Sequence, residues 1–310
     1  MDISSSRTEP DTTTQREART RADVYRTITE RIVAAIERGA GEFVMPWHGS
    51  RIARPQNAWT GSDYHGVNIL ALWAEACLSG FSTGWWATYK QWQQAGGQVR
   101  KDEKASTIVF FKRLDQEEDE EGEAEGRRVR LVARASRVFN ADQVDGWSPP
   151  APIYPFGSAE AILSVTALIQ ASRAVIRHGG SMACYRIAED RIDMPPIEDF
   201  VGTLTSSPTE AYSSTLLHEL VHWTGAAHRL DRGFGEGFDH EKLAAEEFVA
   251  EIGAAYLCAD LGVSNQPRPD HAAYVAHWLK ALKNDHRAIF AASRLADRAA
   301  SFLHDLAAAA

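Results

Sequence analysis

Residues 218–228 read HELVHWTGAAH. The H-E-x-x-H core formed by His218, Glu219 and His222 constrains the fold around it more than any other stretch, because its chemistry requires a helix. On a helix, residues four apart share a face, so His218 and His222 can present imidazole nitrogens to one zinc ion at about 2.0–2.1 Å. Glu219 points roughly 100° away from His218. It stands where a general base takes a proton from a metal-bound water. Two stretches compete to supply a third ligand. Gly225 and His228 extend the motif to H-E-x-x-H-x-x-G-x-x-H, in which the last His completes the site. Further on, EEFVAEIGAAYL offers Glu247 and Glu251, again at i and i+4.

The first pattern belongs to zinc sites with a Met-containing turn after the motif. Here Met1, Met45, Met182 and Met194 all precede His218. The E-x-x-x-E arrangement matches sites in which the first carboxylate ligates zinc and the second orients a zinc-bound His.

Proline marks the organisation. WSPPAPIYPFG is the best boundary, so 147–158 is expected as a linker between a domain at 21–146 and another at 159–310. Behind it the pattern predicts a helix at 159–177 with Ile162, Val165, Leu168, Ile169 and Val175 inward. A strand follows at MACYRIAED, then helices at 209–224 and 240–260 and helical stretches in 270–308. Ahead of the boundary, Val24, Tyr25, Ile28, Ile32 and Ile36 predict a helix over 22–38, and a second spans 67–79 before Gly80. STIVFFKR and RRVRLVARASRVF read as strands around LDQEEDEEGEAEG, an insert at 114–126 with eight acids and no base, expected as an exposed hairpin loop. Residues 1–20 are polar, resemble neither a secretory signal nor a transit peptide, and are expected as a disordered tail. The fold class is α+β, with helix dominant in the second domain.

The net charge of −9 is unevenly spread: +3 over 1–113, −8 over the insert, +5 over 127–137 and −9 thereafter. Seven of nine Trp lie at or before Trp147, interleaved with Lys90, Arg100, Lys101, Lys104, Lys112 and Arg113. Rings that stack on bases beside cations that meet phosphates are the combination used by single-strand binders. The competing reading is an aromatic core under solvated charges, with Trp73 in the core and Trp85 and Trp86 split one in and one out. No apolar run approaches the roughly 20 residues of a membrane span. Cys77, Cys184 and Cys258 show no disulfide or zinc spacing, so a reducing cytoplasm is expected.

RPQNAWTGSDYHGVNILALW, WWATYKQWQQAGGQVRKDEKASTIVFF and VFNADQVDG resemble the N-terminal domain shared by ArdC-type antirestriction proteins and plasmid TraC-type primases. YRIAEDRIDMP, EAYSSTLLHELVHWTG, RLDR and EEFVAEIGAAYL resemble their C-terminal zincin domain. Asp102 and Ala105 stand in a turn where that family usually has glycines. The resemblance implies a front domain that binds single-stranded DNA, with Trp47, Asn57, Tyr64, Asn68, Trp85, Trp86, Lys90, Trp92, Arg100, Lys101 and Lys104 as candidate contacts. It also implies a metallopeptidase-like back domain and protection of incoming plasmid DNA from restriction during conjugation. Together with the missing Met turn, it favours one Zn2+ per chain on His218, His222 and Glu247, with Glu219 as base and Glu251 behind the ligands. A restriction subunit is the expected class of protein substrate. The alternative is a single-stranded DNA-binding protein whose zinc site is structural or inactive.

Overall fold

The computed structural model describes residues 12–39, 45–48, 53–115, 129–150, 156–203, 206–233, 240–265 and 272–310. The front half carries α1 (Thr12–Gly39), β1 (Gln56–Asn57), α2 (Val67–Ser79), β2 (Trp85–Ala87), α3 (Tyr89–Gln94), β3 (Gln98–Val99), β4 (Ser106–Asp115), β5 (Val129–Asn140) and β6 (Val144–Asp145). Its main sheet has the order β1-β2-β5-β4, and β3 pairs with β6. The ends of α2 fall where the sequence places them, because Gly80 takes the left-handed conformation at φ 75° that closes the helix. Asp102 adopts φ 68° in the turn before β4, one of the residues that tolerate this region without being glycine. β4 and β5 form an antiparallel ladder from Ser106↔Val138 to Asp115↔Val129. Of the loop expected at 114–126, Leu114 and Asp115 belong to β4, and the rest lies outside the described residues.

The back half carries α4 (Ala159–Ser172), β7 (Val175–His178), β8 (Cys184–Arg186), β9 (Arg191–Met194), α5 (Pro208–Thr224), α6 (His240–Leu261), α7 (Ala272–Asn284) and α8 (Ala288–Ala308). Its sheet has the order β7-β9-β8, which leaves β8 at an edge. The chain is mixed α+β, with a sheet-containing front and a helical back.

Three expectations change. α1 begins at Thr12, inside the stretch expected as a tail; its first residues TTTQREARTR lack an apolar stripe but include the helix formers Gln, Arg, Glu and Ala. Residues 1–11 are outside the described set. α4 stops at Ser172 because Arg173 turns left-handed at φ 56°, and Val175 emerges 60% exposed on β7 instead of facing inward. The expected strand at 182–190 is shorter and turns back as the pair β8–β9.

The two halves share one core. Val24, Ile28, Ile32 and Ile36 of α1 and Leu70 and Trp73 of α2 belong to the same buried cluster as Leu217, Tyr256, Trp278 and Leu303. Polar links reinforce this continuity. The guanidinium of Arg54, 8% exposed, donates to Asp260 of α6 at 3.0 Å, to Asp297 of α8 and to the carbonyl of Tyr64 at 3.2 Å. Tyr256 donates its hydroxyl to the carbonyl of Gly66 at 2.9 Å, and Thr29 to that of His286 at 2.8 Å. Removing one member of a buried ion pair leaves uncompensated charge at a cost of about 3–5 kcal/mol. Arg54→Ala is therefore expected to lose about that much stability in urea unfolding. Trp fluorescence, weighted to the front half, and far-UV helix signal, weighted to the back, should shift together; two separated transitions would contradict the shared core.

Candidate metal centre

α5 opens on a capping box in which Ser207 accepts from the Glu210 amide at 3.3 Å and Glu210 accepts from the Ser207 amide at 2.9 Å, with Pro208 in the first turn. Glu210 also accepts from the amide of Ser264 at 3.1 Å, which ties the helix start to the chain leaving α6. From Leu216 to Thr224 every residue of α5 is buried, so the motif lies in an interior helix. His218 is 2%, Glu219 3% and His222 9% exposed.

α6 lies close against this helix because it carries Gly253 at the crossing. A Cβ there would stand 2.8 Å from a methyl of Val221, so any side chain would push the helices apart. The close approach brings Glu247 to the two imidazoles. His218 Nε2 and His222 Nε2 are 3.1 Å apart, and the Glu247 carboxylate oxygens lie 3.4 Å from the first and 3.6 Å from the second. Ligands about 2.0–2.1 Å from a tetrahedral ion are separated by about 3.3 Å, so these three side chains have the spacing of one face of such a site. His228 is elsewhere. Its side chain is 64% exposed and pairs with Asp190 at 3.2 Å.

A residue outside the i, i+4 pair of α6 supports the cluster. Glu246 accepts from Nδ1 of His222 at 3.1 Å and is gripped by Arg232, whose Nη2 and Nε reach its two oxygens at 2.7 and 3.0 Å. Consecutive residues on α6 thus address the two nitrogens of one ring: Glu246 holds Nδ1 and leaves Nε2 beside Glu247. Burial opposes the imidazolium of His222, but Glu246 and Glu247 together push it up to about 10. Burial likewise opposes the charge of Glu247, and the bonds from His218 and His222 outweigh it, holding the carboxyl well below its usual range.

Both arginines of RLDR serve the site. Arg232 also donates to Thr224 Oγ1 at 2.7 Å and to the carbonyl of Val221 at 2.6 Å, which fastens the end of α5. Arg229 lies over the Trp223 ring at 3.8 Å and binds Asp190 and the hydroxyl of Tyr185, anchoring the turn between β8 and β9. That anchor places β8, and the backbone N–H of Tyr185 donates to Glu219 at 2.9 Å. Asp190 is held down at about 2 by Arg229 and, against partial burial, by Tyr185.

Glu251, expected behind the ligands, accepts from Trp47 Nε1 at 3.0 Å and lies 2.5 Å from His48 Nε2. The carboxylate on Nδ1 of His222 is that of Glu246. Trp47 is thereby engaged inside the molecule. Tyr64, Trp86 and Trp92 are buried too, at 6%, 1% and 0%, and in this conformation their rings offer no face to a base. Asn68 is also buried: its amide donates to the carbonyl of Val109 at 2.8 Å and accepts from its N–H at 2.9 Å, capping the outer edge of β4. Asn57 and Trp85 are half-buried, while Lys90, Arg100, Lys101 and Lys104 are exposed. Trp73 is in the core, as expected; Trp86 is buried, but Trp85, the one then expected to face out, is half-buried against Trp147 with ring centroids 5.8 Å apart.

Glu246→Ala breaks the buried pair with Arg232 and is expected to cost about 3–5 kcal/mol in urea unfolding, whereas Glu241→Ala at the exposed start of α6 should change stability by less than about 0.5 kcal/mol.

Residues 22–139 match the N-terminal domain of the anti-restriction factor ArdC, and residues 164–295 match the zincin-like metallopeptidase family. The crystal structure of antirestriction ArdC protein from plasmid R388 is similar in its metal-free form, with TM-score 0.75 and 38% identity over 93% of this chain and 98% of that one. Its Mn(II)-bound form gives TM-score 0.72 and 38% identity over 92% and 98%. Among sequences, the uncharacterized protein y4eC of Sinorhizobium fredii is 43% identical over 94% of this chain and 95% of its own length. A DNA primase TraC of Escherichia coli is 35% identical over 89% of this chain, but the match spans only 26% of the primase. With both domains matched and the R388 protein covered almost end to end, this chain belongs to the ArdC antirestriction protein family.

Proposed function

We propose that this chain protects incoming plasmid DNA from host restriction by binding it as a single strand through the front half, and that the back half is a zinc-dependent peptidase-type centre. The observation that carries the second part is the His218, His222 and Glu247 cluster, the group among the described residues whose donor atoms all lie within 4.8 Å of one another. Two imidazoles and one carboxylate suit zinc, and three protein ligands leave the fourth position that a catalytic site needs. Bound there, the ion would supply Lewis acidity and lower the pKa of its water to about 7.

The protein's own groups have defined parts in this reading. Glu219, adjacent in sequence to a ligand, takes the proton of the attacking water and returns it to the leaving amine. The Tyr185 N–H holds its carboxylate from the side of β8, which orients the base. Glu246 and Arg232 fix the ring of His222 from behind. For the first part, the match to the ArdC N-terminal domain and the likeness to the TraC primase support contact with DNA, and the exposed Lys90, Lys101 and Lys104 provide cations for it.

Metal analysis after dialysis tests the ligand set. Glu247→Ala is expected to lose zinc, and His228→Ala to keep about one ion per chain; the opposite pattern would move the third ligand to His228. Glu219→Gln is expected to retain zinc while any proteolysis falls by about 10²–10⁴-fold. Restriction protection that falls with it supports the enzyme; protection left intact assigns the function to DNA binding alone.

A further inference from the structure

We infer that the single strand is held on a patch around α3, with bases stacked on Trp59 and Tyr89, Phe139 supporting the Tyr89 ring, and phosphates met by Lys90 and Arg137; this rests on the single-strand binding proposed above. Stacking needs an accessible ring. Among the described residues the large aromatic side chains left exposed are Trp59 at 49%, Tyr89 at 45%, Phe110 at 52% and Phe111 at 47%, all in the front half. Phe110 and Phe111 are consecutive on β4, so they point to opposite faces and make no common platform.

The other two lie in built surroundings. Tyr89 opens α3, and its ring meets that of half-buried Phe139 edge-on at 6.4 Å. Its hydroxyl accepts from Gln98 Nε2 at 3.1 Å, so the ring is oriented before any ligand arrives and loses little rotamer freedom on binding. Phe139 pairs with Ala87 in the sheet. Arg137 lies two residues before it, on the same sheet face and about 6.7 Å along the strand. Lys90 follows Tyr89. Lys90 and Arg137 are both exposed, and neither forms an ion pair among the described residues. Trp59 rides on the turn that Asn57 organises: Asn57 Oδ1 accepts from the amides of Trp59 and Thr60 at 3.0 and 3.1 Å, and Asn57 Nδ2 donates to Gln91 of α3 at 3.3 Å.

The competing front-half surface is less suited to a polyanion. An open pocket of about 630 Å³ between α1, α2 and the turn before β4 sets Glu75, Asp102 and Glu103 against Arg31 and Lys104, and Arg31 is already bound by Glu75 at 2.7 Å. Arg100 nearby is occupied by Glu103 at 2.9 Å and Asp145 at 3.5 Å. Free cations beside oriented rings occur at α3, and that pairing selects single-stranded nucleic acid, whose bases expose their faces.

The test uses the full chain and a fluorescein-labelled oligothymidylate, with anisotropy read over a range of salt. Tyr89→Ala is expected to weaken binding about 5- to 150-fold with an unchanged salt slope, and Tyr89→Phe to restore affinity, which separates lost stacking from a damaged fold. Arg137→Gln should weaken binding and lower the salt slope by about 0.7. Phe111→Ser should bind as the parent does. If the parent binds and Tyr89→Ala and Arg137→Gln bind equally well, the patch is overturned. Equal affinity for a duplex overturns the choice of ligand, and no salt-sensitive binding by the parent overturns the single-strand reading itself.

Discussion

The close crossing of α5 and α6 is the contact on which the rest of the site depends. α5 alone provides two imidazoles and a carboxylate at fixed helical offsets, which is an incomplete site. Gly253 lets α6 approach to within contact of Val221, and the approach delivers Glu247 and Glu246 to opposite nitrogens of His222. Arg232 then binds Glu246, the carbonyl of Val221 and Thr224 together, so one guanidinium neutralises the supporting carboxylate and closes the end of α5. A larger residue at 253 would disturb packing and the donor cluster by the same displacement.

The continuous core has a related consequence for how the halves work together. The boundary in WSPPAPIYPFG is a boundary of sequence, and the two family matches fall on either side of it. In space α1 and α2 pack with the helices of the back half, and Arg54 sits between Asp260 and Asp297. Trp47 and His48, from the front half, hold Glu251 on α6, one turn beyond Glu247. A front domain cut out at the boundary would expose a large apolar face, so its binding is best measured in the full chain.

Where local chemistry decides the structure, the sequence was legible. α2 with its Gly80 stop, the helix carrying the motif, the β4–β5 hairpin and the i, i+4 pairs on α5 and α6 follow from spacing and capping residues. Long-range packing decided the rest. No periodicity distinguishes Trp86, buried against Phe81, from Trp59, which stays exposed, because both sit in aromatic-rich segments. Glu246 carries no signal in i, i+4 spacing, because its partner Arg232 comes from the loop between helices. α4 ended early on Arg173, a residue with no special preference for the left-handed region, so the usual glycine signal was absent.

The ligand set is the central claim, and the environment of a bound ion reports on it directly. X-ray absorption at the zinc edge of the loaded full chain is expected to show four nitrogen or oxygen neighbours at about 2.0–2.2 Å, with multiple-scattering features for two imidazoles. Three imidazoles would bring in His228, and a sulfur neighbour at about 2.3 Å would bring in a cysteine. Either result would contradict a centre built from His218, His222 and Glu247.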